Sequence, residues 1–410
     1  MVLALAIIAR RWRFELVSKE DPAVVDFIIY KCKDGLPVVA RERTGKAEIP
    51  VGGPRAKLQT RGQKGGRVTD IPPVFVFSTG RCGSTMVSEM LNQHPGVLSM
   101  SEFFAQLGVA AFTRKKISGD EMWRMYSEHT PRMRIVTYEG LTEVLYPFTD
   151  PVARFNAENL PPILAVTLPH LTDKYEELFD ELGPAVRAMS DATPADHIRA
   201  LCQWLCQRRG SRVWVERHGG SLILASRLLR YFPEARIVHM YRDGRETALS
   251  MAKHPPFKLA LARARRARRI GLDAYRLLER FERRDRLTQA IQKAQWRMTD
   301  LDAFMAEEAT LPEAAELWSK MIETGHRVFG HFPPDRLLNL RFEDMQQNPA
   351  EEARRLIRFI SPELDDDAWV AEVAKIPRQT ESKFAQLDSA QQAAITAACR
   401  PGLERLGYSS

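Results

Sequence analysis

The chain has 410 residues, 44% hydrophobic and 27% charged, an ordinary globular balance long enough for one large domain with appendages. Its formal net charge of +8 is unevenly placed: Lys258 to Arg297 holds 13 Lys or Arg against four acids, so the remainder is near neutral. That distribution argues against a nucleic-acid-binding face over the whole protein. Five cysteines make an odd set without disulfide-like or metal-like spacing; Cys202 and Cys206, four apart in an apolar helical pattern, read as buried thiols in a reducing cytoplasm.

Along the chain, the apolar start from Met1 to Ala9 stops at Arg10-Arg11, too short to span a bilayer and without a basic leader, and reads as a strand or helix start. Residues 1–70 form an N-terminal appendage that ends in the loop composition of Gly52-Gly53-Pro54 and Gly65-Gly66. A sharp strand follows at Val74 to Ser78, breaks at Gly80 and passes into a helical pattern from Thr85 to Leu91. Val97 to Met100 reads as a short strand, Arg212 to Glu216 and Ala235 to Tyr241 as buried parallel strands, and Arg336 to Arg341 as a shorter candidate. Strands alternating with helices predict an α/β fold with a central parallel sheet, covered by helices on both faces. Residues 258–311 are helical, basic and poor in strand formers, and read as a cap or lid inserted between residues 71–257 and 312–410 of that domain. Its readings are a solvated pair of amphipathic helices, or contact with an anionic acceptor, a partner or a membrane surface.

Two motifs carry chemistry. In Ser78-Thr79-Gly80-Arg81-Cys82-Gly83-Ser84-Thr85, glycines let the backbone approach a ligand, and the free amides of a helix start make an anion site. Ser84 and Thr85 add hydroxyls, and Arg81 adds a permanent cation. A nucleotide P-loop needs Lys beside the Ser, but Gly83 stands there, so the turn suits an anion held without a metal. In the second motif a buried strand delivers Arg242 at its carboxyl end, and Ser250 follows two helical turns later, so that both point to one phosphate.

Together these motifs resemble the family of sulfotransferases that use 3'-phosphoadenosine-5'-phosphosulfate (PAPS). In that family the first turn holds the 5'-phosphosulfate, and an Arg followed eight residues later by a Ser, the spacing of Arg242 and Ser250, holds the 3'-phosphate. Arg81, where cytosolic members carry Lys, resembles the tyrosylprotein and bacterial carbohydrate branches. Arg341-Phe342-Glu343-Asp344-Met345 looks like the family's Arg-Tyr-Glu-Asp-Leu segment, and Trp214-Val215-Glu216-Arg217 like the strand that usually ends in Lys. The likeness spans about residues 72–360, with a weaker tail to Tyr408, and leaves out the appendage and the basic insert.

The resemblance implies a P-loop-like three-layer sandwich that moves a sulfonate from PAPS to a hydroxyl and releases the bisphosphate PAP. Gly80, Arg81, Cys82, Gly83, Ser84, Thr85, Arg242 and Ser250 would bind the donor, and no metal is implied. Glu102, in Ser101-Glu102-Phe103-Phe104, stands where the tyrosylprotein and bacterial carbohydrate branches have their base; the two phenylalanines beside it would raise its pKa. Arg217 would stabilise the sulfonate oxygens or orient Glu102. His170 is the rival base, because cytosolic members use a His, and His254 would line the acceptor pocket or end a helix. Cys82 beside the anion turn would have a lowered thiol pKa, with no base at hand for nucleophilic work. Arg378, Ser382 and Lys383 sit in a loop before the final helix, in the region where family members touch the adenine or 3'-phosphate; the match of this loop is poor, and which residues contact the adenosine stays open. The acceptor stays open between small molecules, carbohydrates and lipid-linked sugars, as does the oligomeric state. Two other readings stand beside this one: a nucleotide kinase or NTPase, and an inactive PAP-binding protein.

Overall fold

A computed structural model describes residues 71–108, 111–138, 143–148, 150, 153–269, 271 and 298–409, with the backbone of four short strands nearer the N-terminus. The chain divides into two units, Met1–Gly65 and Gly66–Ser410. In the first, strand β1 (Trp12–Leu16) pairs antiparallel with β4 (Val38–Glu42), and β2 (Val24–Val25) with β3 (Lys31–Cys32). The expected start at Met1 to Ala9 lies outside the described residues.

The second unit is built on β5 (Val74–Ser78), β6 (Val97–Ser101), β7 (Val213–Arg217), β8 (Arg236–Tyr241) and β9 (Leu337–Arg341). They form one sheet in the order β6-β7-β5-β8-β9, parallel throughout. Because side chains alternate across a strand, Phe75 and Phe77 of β5 enter the core on one face of the sheet, and Val74 and Val76 the core on the other. Burial on both faces explains why this strand reads as an unbroken apolar run. The architecture is α/β, a central parallel sheet between helical layers, as the sequence predicts.

The helices that build and support the site are α1 (Ser84–Asn92), α2 (Phe103–Leu107), α3 (Pro194–Arg209), α4 (Gly244–Met251), α5 (Pro255–Arg269), α6 (Leu301–Ala306), α7 (Leu311–Phe329), α8 (Phe342–Gln347), α9 (Pro349–Ile360) and α10 (Ser389–Leu406). Val87 and Met90 of α1 and Leu356 and Ile360 of α9 pack on the Val74 face; Leu201 and Cys202 of α3 and Trp318 of α7 pack on the Phe75 face. Trp318 is fully buried and decides the spacing of three helices. A Cβ at Gly244 would lie 2.4 Å from its ring and one at Gly402 2.5 Å, so α4 and α10 can close on α7 only through glycine.

The described part of the basic insert pairs some of its charge within the insert and some with α7. Arg265 pairs with Glu313 at 2.7 Å, Arg268 with Glu316 at 2.6 Å, and Arg266 with Glu307. Lys258 Nζ donates to the Met305 carbonyl at 2.6 Å. Here α5 is a packed helix with half of its basic side chains paired to acids; residues 270 and 272–297 of the insert lie outside the described residues. Among the described residues no helix is long and apolar enough to cross a membrane.

Candidate functional site

In a sheet of this order, the connection after β5 leaves toward β6 and the connection after β8 leaves toward β9. The two diverge at the carboxyl ends of neighbouring strands and open a crevice there, where ligands of doubly wound sheets bind. Both anion motifs begin at this crevice.

The first turn is tightly built. Ser78 N–H donates to Ser221 Oγ at 2.9 Å, Gly80 N–H to Ser78 Oγ at 3.2 Å, and Thr79 Oγ1 to the Gly80 carbonyl at 3.0 Å. Gly80, Arg81 and Gly83 all have left-handed backbones, with φ of 76°, 57° and 87°. For Arg81, which has a Cβ, that conformation is strained, and such strain collects at functional turns. α1 then starts with Gly83 as N-cap and no side-chain cap, leaving its first amides open to a ligand.

The second turn starts where β8 ends. Asp243 caps α4 by accepting from Arg245 N–H at 2.8 Å, and its own N–H donates to Glu343 Oε1 at 3.0 Å. The other oxygen of Glu343 accepts from Tyr408 Oη at 2.8 Å. Arg242 lies over the Phe342 ring, 4.7 Å from its centre, and 3.6 Å from Glu246. The Arg341-Phe342-Glu343 segment thus buttresses the turn that presents Arg242.

The structure brings the two motifs together. Arg81 Nε donates to Ser250 Oγ at 3.0 Å across 169 residues of sequence. The Arg81 guanidinium also meets the carboxylate of Glu143, whose other oxygen lies 3.0 Å from His254 Nε2. These residues open on a cavity of about 740 Å³ lined by the cations Arg81, Arg242, Lys253 and Lys383 and by Glu143, Glu246 and Glu381, with Ser250 and His254 between them. Lys383 is delivered by the C-terminal loop, which Glu246 anchors by accepting from Ser382 Oγ at 2.6 Å and Phe384 N–H at 3.0 Å. Arg378 of that loop offers its carbonyl to Gln346.

Glu102 sits where β6 gives way to α2, also with a left-handed backbone (φ 56°). Its N–H donates to the Arg217 carbonyl at 2.7 Å. Its Oε1 accepts from the Arg217 guanidinium and, at 3.0 Å, from Gly219 N–H. Arg217 is almost wholly buried and donates also to Ser101 Oγ at 3.0 Å. The expectation of apolar surroundings for Glu102 is corrected: Phe103 and Phe104 turn into the core, and the carboxylate faces a cation and an amide. The Gly219-Gly220 turn joins this corner to the anion site, since Gly220 N would lie 3.1 Å from a Cβ on Gly80, and Phe257 covers both glycines.

The thiol of Cys82 does not face the anion. It is fully buried and donates to the Met240 carbonyl at 3.6 Å; burial raises its pKa where the sequence predicts a lowering. His170 lies on the α1 side of β6, with Nε2 3.2 Å from Ser88 Oγ and 3.3 Å from Ser99 Oγ. Burial, reinforced by the charge of Arg217, lowers its pKa to about 4. His254 lines the same cavity as Arg81 and Arg242.

Sequence reading missed Glu143 and Glu216. Glu143 stands in a loop with no motif around it; burial alone would raise its pKa, but the bond and charge of His254 and the charge of Arg81 hold it below the usual range. Glu216, buried in β7, accepts from Phe104 N–H at 2.9 Å and pairs with His218 Nδ1 at 3.0 Å, fixing the start of α2 beside Glu102. A charged residue inside an apolar strand, next to Arg217, was the available signal for it. Among the described residues no cluster of His, Cys, Asp and Glu could hold a metal ion.

A family model described as "Sulfotransferase family" matches residues 72–302, and one described as "Sulfotransferase domain" matches residues 224–392. No curated protein matches. Similar solved structures include the sulfotransferase domain from the curacin biosynthetic pathway, at 12% identity over 83% of this chain and 99% of that one, with a TM-score of 0.41. The sulfotransferase domain of the Synechococcus PCC 7002 olefin synthase is similar at 14% identity, 86% and 100% coverage and TM-score 0.40. Sulfotransferase STF9 from Mycobacterium avium is similar at 14%, 84% and 78%, and 0.37.

Proposed function

The chain belongs to the sulfotransferase family, and we propose that it transfers the sulfonate of PAPS to a hydroxyl of a small-molecule, carbohydrate or lipid-linked acceptor, releasing PAP. The observation that carries the donor assignment is the 3.0 Å bond from Arg81 to Ser250, because it joins two anion motifs at one cavity. In this reading the open amides from Gly83 to Thr85 and the Arg81 guanidinium hold the 5'-phosphosulfate, while Arg242 and Ser250 hold the 3'-phosphate. Forked and helix-end donors suit such groups without a metal.

The acceptor oxygen attacks sulfur in line, the bond from sulfur to the phosphate oxygen breaks, and Glu102 takes the acceptor proton. Arg217 orients the Glu102 carboxylate, and its buried charge stabilises the oxygens of the sulfonate in flight. The left-handed backbone of Glu102 supports a functional role, since a strained position is retained where it aims a side chain. A cytoplasmic setting is part of the same proposal, and fits four free, buried cysteines among the described residues.

Calorimetric titration with PAP, and with ATP in the presence and absence of Mg²⁺, tests the reading, with an Arg242→Ala, Ser250→Ala double variant as control. PAP binding that needs no metal and is lost in the variant is the expected result. Tight Mg-ATP binding with no PAP binding would return the Gly80 to Thr85 turn to a nucleotide triphosphate site.

A further inference from the structure

Two cationic side chains of the cavity, Arg81 and Arg242, have carboxylates beside them. Arg242 has Glu246 beside it, and Glu246 is itself fixed by Ser382 and Phe384, so it belongs to the framework. Glu143 differs. Both partners of its carboxylate are side chains, Arg81 and His254, and it is about two-fifths exposed. Its loop is tied down beyond it: Leu145 N–H donates to the Ala165 carbonyl at 2.8 Å, and the buried Tyr146 donates to Glu176. The carboxylate can therefore leave Arg81 by a side-chain rotation while the chain beyond it stays anchored.

We propose that Glu143 is a specificity-determining residue of the donor site: its carboxylate occupies Arg81 in place of the donor's 5'-anion, and only a ligand bearing an anion at that position displaces it. This rests on the PAPS reading given above. Two anions cannot share the Arg81 corner without repulsion, so a 5'-phosphate or phosphosulfate must first release the ion pair, and its observed affinity is reduced by that cost. An adenosine carrying only a 3'-phosphate engages Arg242 and Ser250 and leaves Glu143 on Arg81. The carboxylate thus sets a threshold against weakly held anions at the catalytic end of the site, while the adenosine end stays ready.

The test compares the intact protein with Glu143→Gln by calorimetry, using PAP and adenosine 3'-phosphate as probes. A partly exposed ion pair of this kind predicts about twofold to fivefold tighter PAP binding in the variant, with adenosine 3'-phosphate changed by less than about 1.5-fold. Unchanged or weaker PAP binding would overturn the proposal. An equal gain for both ligands would also overturn it, because it reports only the loss of a nearby negative charge. If PAP binds neither protein, the donor reading itself falls and this inference with it. Glu143→Ala, measured alongside with a melting curve for each unliganded protein, separates a folding defect from an affinity change: the same gain for PAP is expected at a melting temperature close to that of the parent.

Discussion

Gly83 couples the two anion turns through a single ring, and replacing it with alanine exposes that coupling. Its φ of 87° costs a residue with a Cβ about 1–2 kcal/mol. The new methyl carbon would lie 2.4 and 2.5 Å from two ring carbons of Phe342, far inside contact distance, and overpacking of that kind costs about 1–3 kcal/mol more. Gly83→Ala is therefore expected to destabilise the domain by about 2–5 kcal/mol. The backbone share cannot be relieved, but the steric share can. Phe342→Leu alone, a large-to-small change at a buried ring, should cost about 1–3 kcal/mol, and in the Gly83→Ala background it should open room for the methyl. Urea unfolding of the four proteins forms a double-mutant cycle, with an expected coupling of about 1–3 kcal/mol in favour of the double variant. Additivity to within about 0.5 kcal/mol would refute the steric argument and with it the coupling of the two turns through the Phe342 ring.

Other outcomes follow from the same geometry. Glu102→Gln should bind PAP as the parent does and lower sulfonate transfer to any accepted hydroxyl about 10²–10⁴-fold; an unchanged turnover removes Glu102 as the base. In native protein, Cys82, Cys202, Cys206 and Cys399 should all resist alkylation at about pH 8 and react in urea, as read by mass spectrometry; early labelling of Cys82 would place its thiol on the anion turn after all. Glu313 caps α7 by accepting from Thr310 N–H at 3.1 Å and binds Arg265, which, with that cap and against some burial, depresses its pKa from 4.5 to about 2. The depressed value means that its contribution is complete above the unfolded pKa and lost as pH falls from about 4.5 toward 2. Glu313→Gln should therefore show a shallower loss of stability than the parent across that window, in denaturant curves taken at each pH.

The sheet was legible because its three central strands are short, dense runs of strand-forming side chains, and the two glycine-bearing turns declared themselves by composition. The strand edges shifted by a residue or so. β7 runs on to Arg217 because its carbonyl accepts from Glu102 N–H, a partner that local sequence does not announce. The surroundings of Glu102 were misjudged for a related reason. Adjacent residues at the start of a helix diverge, so the neighbours in sequence, Phe103 and Phe104, are not the neighbours of the carboxylate. Glu143 was invisible: it meets Arg81 62 positions away through a loop with no periodicity, and only the folded chain reveals the pair.

The central place of β5 also bears on how the protein comes to be folded. This strand is the first of its sheet to be synthesised, yet both its partners come later, and the bond that locks its end to Ser221 spans 143 residues. The entropy of closing loops of that size is spent before any contact repays it, which makes such assembly slow. A nascent or truncated chain ending before Val213 would hold every residue of the glycine-rich turn and still have no anion site. Meanwhile Val74-Phe75-Val76-Phe77 stands unpaired, an uncharged segment of high strand propensity of the kind that seeds aggregation. The position that makes β5 the hub of the finished site makes it the segment most in need of protection during synthesis.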